Sequence, residues 1–142
     1  MFRTQSHRRT RARHNSLREG VAATEFAVCL PVLVLLMLGV IETSTMVFLK
    51  QSLEVAAYEG AHMGVMPDSE RSDVIDICEA ILTDRRVNGA TIDVVPADLG
   101  SVAPGDFFEV RVSAPTNANA ILPLNFFSGM TLSSSASFMK EI

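Results

Sequence analysis

Sixteen consecutive residues, Phe26 to Ile41, read FAVCLPVLVLLMLGVI without a charge. The run extends through Val21–Ala23 on one side and Thr43–Leu49 on the other, past Glu25 and Glu42. A bilayer core about 30 Å thick needs about 20 residues of helix, and the stretch from Val21 to about Leu49 meets that length. Six arginines (Arg3, Arg8, Arg9, Arg11, Arg13 and Arg18) lie on its N-terminal side. The excess of positive charge there keeps residues 1–20 in the cytoplasm and sends the C-terminal body across the membrane. A cleaved secretory signal is the rival reading. The long charged tail, an apolar run at the upper limit for such a signal and the want of a clean A-x-A site weigh against it.

Of the 142 residues, about 90 remain for a folded head once the tail and the apolar run are set aside, enough for one small core and one sheet. The net charge of −4 is an average over two unlike parts. The first 20 residues hold six of the twelve basic residues and one of the sixteen acids, so residues 21–142 carry a net −9. An acidic body is a poor partner for nucleic acid, whose phosphates are bound by clustered Lys and Arg. The basic tail reads as a topology signal. Cys29 lies in the apolar run and Cys78 well beyond it, which separates them across the membrane boundary and argues against an internal disulfide.

Glu25 stands at the start of the span, where an ionised side chain costs about 3 kcal/mol at full depth. At the headgroup level that cost is small. The acid also gains a partner if the chain is cut after Gly20, because Val21 then carries a free α-amine, largely protonated at neutral pH. Glu25 could neutralise the amine of a neighbouring subunit, or its own one helical turn away.

The segment Arg18-Glu19-Gly20-Val21-Ala22-Ala23-Thr24-Glu25-Phe26 resembles the processing site of the type IVb Flp pilin system: a glycine, four residues, then Glu-Phe and an apolar helix. The TadE-like family carries this as RxG-x-A-A-x-E-F-A-x-x-x-P-x-L, met here by Gly20, Val21, Ala22, Ala23, Glu25, Phe26, Ala27, Pro31 and Leu33. The segment Ala56-Ala57-Tyr58-Glu59-Gly60-Ala61 is similar to the family's A-A-R-E-G-A, with tyrosine at 58 in place of the basic residue, and Leu132–Met139 looks like its small-residue terminal strand. The resemblance implies a minor pseudopilin of a tight-adherence, Flp-type pilus and secretion system. It implies cleavage between Gly20 and Val21 by a prepilin peptidase, and other pilins, pseudopilins and pilus platform proteins as partners. It also implies an inner-membrane location with the N-terminus cytoplasmic and the head periplasmic. Glycine suits the cut position because it admits close approach of the protease backbone. Pro31 removes one helical hydrogen bond, and reads either as a bend or as a proline that a membrane helix tolerates.

Beyond the membrane, Leu49, Leu53, Ala56, Ala57, Gly60, Ala61 and Gly64 keep helical spacing, with no breaker before Pro67. One helix from Val21 to Val65 would be about 67 Å long. Ala56, Gly60 and Gly64 allow close backbone approach, either to the head's own sheet, the favoured reading, or to another subunit. A second helix, capped by Asp68 or Ser69 with Glu70 in its first turn, carries the stripe Val74, Ile77, Cys78, Ile81 and Leu82. Arg85 and Arg86 suit its C-terminal end, before a stop at Asn88-Gly89. Cys78 on that stripe reads as a small buried residue. Strands are expected at Thr91–Val95, at Phe107–Ala114 with Phe108, Val110 and Val112 inward, and at Met130–Met139 with Met130, Leu132, Ala136 and Phe138 in phase. Pro104-Gly105-Asp106 is a turn, and Pro123 interrupts the last loop. The expected fold is α+β: a long N-terminal transmembrane helix running into a small pilin-like head with a second helix and a three-stranded antiparallel sheet. The expected divisions are a leader at 1–20, the membrane and extended helix at 21–65 and the head at 66–142.

No catalytic constellation is present in the sequence. His62 and Cys78 lack an orienting third group, no phosphate-cradling glycine loop occurs, and Asp68, Glu70, Asp73 and Asp76 lack calcium-loop spacing. The expectation is a structural assembly protein with no enzymatic activity, cofactor, metal or small-molecule substrate. The alternative is an uncleaved single-pass anchor whose periplasmic head binds a partner, with a tethered enzyme as the remotest reading.

Overall fold

The computed structural model of the chain describes residues 8–122 and 126–140, with side chains from Gly20 onward. Helix α1 runs from Arg8 to Val65 and α2 from Arg71 to Asp84, and the three strands are β1 (Thr91–Val95), β2 (Phe107–Pro115) and β3 (Thr131–Met139). The sheet order is β1-β2-β3, antiparallel throughout. The architecture is the expected α+β one, a long apolar N-terminal helix with a second helix and a three-stranded antiparallel sheet.

The chain divides into two compact units, Met1–Val40 and Ile41–Ile142. The first is helical over its described residues and exposes its large apolar side chains, among them Val28, Val32, Leu35 and Leu36. Within Gly20–Val65 an 18-residue window has a mean hydropathy of 2.4 and none of it is buried, which makes this a candidate membrane span. A helix without a sequestered apolar stripe is stable where the solvent is itself apolar.

The second unit has the hydrophobic core. Leu49, Leu53, Ala56, Ala57 and Ala61 of α1 meet Val74, Cys78 and Leu82 of α2 and Val94, Phe108, Val110, Val112 and Ala114 of the sheet. The spacing of the α1 set is the one that puts residues on one helical face. In β2 every second residue from Phe108 is buried, while Arg111 faces out with Glu109 beside it. Leu132, Ala136 and Phe138 of β3 are half-buried against this core.

Several local features differ from the sequence reading. The helix begins at Arg8, upstream of Val21, since no residue before Gly20 breaks it and Arg, Ala, Leu and Glu favour helix. Pro31 lies inside α1 and the helix continues past it. Glu70, not Asp68 or Ser69, is the N-cap of α2: Asp73 accepts the Glu70 N–H at 2.8 Å. Asp68 turns the chain at φ 61°, and the Ser69 hydroxyl instead donates to the Gly64 carbonyl at 3.0 Å. The helix ends at Asp84, so Arg85 and Arg86 lie beyond its last turn, with Arg86 at φ 56° taking the stop role expected of Gly89. Met130 precedes β3 and is exposed, its carbonyl receiving the Thr116 N–H. Pro123 and the side chains of the basic tail lie outside the described residues.

Candidate functional site

The sequence singles out two places on α1. At the first, the Gly20–Val21 bond lies within continuous helix. Val21 and Phe26 are exposed, and a Cβ built on Gly20 meets nothing within 4 Å. The Thr24 hydroxyl lies 2.8 Å from the Val21 carbonyl and 3.2 Å from that of Gly20, the carbonyl of the expected cut. A back-bond of this kind competes with the helical N–H for the same acceptor and loosens the turn. Glu25, the next residue, is exposed. Among the described residues no ion pair involves it.

At the second place Ala56, Gly60 and Gly64 are buried inside the head. A Cβ on Gly60 would lie 2.3 Å from Cys78 Sγ, and one on Gly64 would lie 2.7 Å from Phe108 Cε2. The two glycines therefore form a notch on α1 that receives α2 and β2. The Cys78 thiol fills it and donates to the Ala56 carbonyl at 3.2 Å. Burial first, then the nearby Glu79 carboxylate, pushes this thiol up to about 11. A thiol held protonated at neutral pH is a poor nucleophile. His62 is exposed on α1 while Cys78 is buried, so the structure does not assemble them into a thiol–base pair. Tyr58, at the family's basic position, stands edge-on to Phe138 with ring centroids 5.5 Å apart, a packing role in place of a charge.

Three buried polar residues carry no signal in the sequence. Thr116 hydrogen-bonds the carbonyls of Phe127 and Met130 at 2.5 and 2.9 Å and so closes the loop between β2 and β3. Ser52 bonds the Phe48 carbonyl within α1. Glu42 is only 2% exposed, and its Oε2 has no hydrogen-bond donor among the described residues. It lines a cavity of about 310 Å³ with Met46, Thr116, Asn117 and Ser128. No cluster of three or more His, Cys, Asp or Glu suited to a metal ion occurs among the described residues.

No curated protein and no solved structure matches the chain. A family model does: the one described as TadE-like protein, over residues 20–62. That segment begins at the glycine of the expected cut and ends inside the packing face of α1. The family suggests a role in assembling the tight-adherence, Flp-type pilus, and it is a structural one, not known for enzymatic activity. From Gly20 to His62, along its long N-terminal helix, the chain is similar to the TadE-like proteins.

Proposed function

We propose that the chain is a minor pseudopilin, made as a precursor in the inner membrane and cut between Gly20 and Val21 by a prepilin peptidase. The carrying observation is the register of Gly20, Glu25 and Phe26 immediately ahead of a charge-free helix, within the segment that the TadE-like model matches. A protease cleaves extended chain, so the helix must open at the cut. Glycine lowers helix stability by about 1 kcal/mol relative to alanine, and the Thr24 back-bond weakens the same turn. Cleavage removes the basic tail and leaves Glu25 as the fifth residue of the mature chain. The carboxylate then pairs with a Val21 α-amine, of the same or a neighbouring subunit, inside the membrane. The head works on the periplasmic side through packing with other pilins, pseudopilins and platform proteins, and turns nothing over.

The test is the N-terminus of the protein purified from its own membranes, with and without the peptidase. A chain beginning at Val21 only when the peptidase is present supports the proposal. A chain beginning upstream of Val21 in both cases sinks it and leaves an uncleaved single-pass anchor with a partner-binding head.

A further inference from the structure

Residues 21–142 hold six basic side chains: Lys50, Arg71, Arg85, Arg86, Arg111 and Lys140. Arg111 pairs with Glu109, and the Nζ atoms of Lys50 and Lys140 reach the Ser133 and Gly64 carbonyls. The guanidiniums of Arg85 and Arg86 make no ion pair among the described residues. Both line a cavity of about 740 Å³ whose apolar wall includes Phe48 and Ile121, each exposed, and whose one acid is Asp84. The wall is tied together. The Asn88 N–H donates to Asn119 Oδ1 at 2.8 Å, and Asn119 Nδ2 donates to the Asn88 and Pro115 carbonyls at 2.9 Å. These bonds fix the end of α2 to the residues after β2, so an occupant meets a surface already shaped and little order is lost on binding. Arg86 also holds φ 56°, a conformation that suits glycine better than arginine.

The occupant that fits carries acids beside an apolar side chain. The chain itself has such a segment where α1 ends: Met66-Pro67-Asp68-Ser69-Glu70, with Met66, Asp68 and Glu70 all exposed. Asp98 joins Asp68 and Glu70 on the wall of one cavity, with Arg71 as its single base. Phe48 and Val65 lie about 26 Å apart along α1, so the segment does not reach the cavity of its own chain.

We propose that the cavity receives segment 66–70 of a second copy: Met66 packs on Phe48 and Ile121, and Arg85 and Arg86 bind the Asp68 and Glu70 carboxylates. The two surfaces do not overlap, so every copy offers both. The contact is head-to-tail and builds a ring or an open chain of copies. It holds whether or not the chain is cut at Gly20. The test places the photo-crosslinking residue p-benzoylphenylalanine at Phe48, and in a second variant at Ile121, of the full-length chain in detergent. Benzophenones insert into nearby C–H bonds and favour those of methionine. The expected product is a crosslinked dimer whose joined peptides map to the probe and to residues 66–70. R85Q/R86Q and, separately, Asp68→Asn are expected to lower its yield, the double change by about tenfold, since each exposed ion pair contributes modestly. Neither touches Glu70, which caps α2. Illumination that leaves both probe variants monomeric overturns the proposal. So does a dimer joined outside residues 66–70, as does a yield that R85Q/R86Q leaves unchanged.

Discussion

The two halves of α1 are built from similar amounts of apolar sequence put to opposite uses. Up to Ile41 the large side chains (Val28, Leu35, Leu36, Met37) point outward, and glycine at 39 has open space where a Cβ would go. Beyond Glu42 the large residues give way to Ala56, Ala57, Gly60, Ala61 and Gly64, all buried, and the space at the glycines is filled by Cys78 and Phe108. On the reading of this half as a membrane span, it gains its stability from an apolar solvent, so side-chain bulk there is an asset. The second gains it from close approach to a protein core, where bulk at the wrong place is a clash.

The same chemical change should therefore have different effects on either side of Glu42. The largest contrast is Phe108→Ala against Leu35→Ala. The first empties the head's core and should cost about 3–5 kcal/mol, while the second should leave head stability unchanged. Thermal unfolding in detergent, followed by near-UV circular dichroism, checks both, and equal losses would break the comparison. Next come the glycines. Gly60→Ala and Gly64→Ala should each destabilise by about 1–3 kcal/mol through overpacking, despite gaining about 1 kcal/mol of helix propensity. Gly39→Ala and Gly20→Ala should be neutral or slightly stabilising by the same measurement. Gly20→Ala should nevertheless block processing, seen as a precursor-sized band on a gel. Replacing Glu42 by Gln should raise stability by about 1 kcal/mol, because a neutral amide is less costly to bury than an acid whose Oε2 has no donor. A loss of stability instead would reveal a donor bound in the cavity.

The smallest effect lies on the sheet surface. A hydrogen bond from Ser135, then one from Arg111, holds the Glu109 carboxyl below its usual range. Its contribution is thus present above the ordinary carboxylate pKa and is lost as pH falls through the lowered one. The pair is exposed, so Glu109→Gln should only slightly flatten the acid side of the stability–pH curve measured by urea titration.

The elements of the head are legible in the sequence because their periodicity is strong. The α1 face and the α2 stripe keep helical spacing, and Phe108, Val110 and Val112 alternate cleanly. The features that escape depend on contacts distant in sequence. Leu99 is buried in a short 3-10 turn (Leu99–Ser101) within a stretch that carries no periodic signal. Glu42 reads as the polar end of a membrane run, yet Thr116, Asn117 and Ser128 line a cavity with it and it is buried. Ser69 has the chemistry of a cap and Met130 the phase of a core residue. One bonds backward to Gly64, and the other is held outside the strand through its carbonyl. At the processing segment the residues are legible from their spacing, whereas the Thr24 hydroxyl on the two carbonyls flanking the cut becomes visible only with coordinates.

The notch at Gly60 has one more consequence, which concerns chemistry in transit. On the reading that sends the head to the periplasm, Cys78 matures in an oxidising compartment, where an unpaired thiol invites crosslinks to whatever passes. Here the sulfur is lodged against the backbone of α1, protonated and out of reach of oxidants. Only a head that has docked α2 onto α1 is shielded in this way. A head that fails to close would leave its sulfur available, so mixed disulfides to chaperones or oxidases would mark the immature population and spare the finished one.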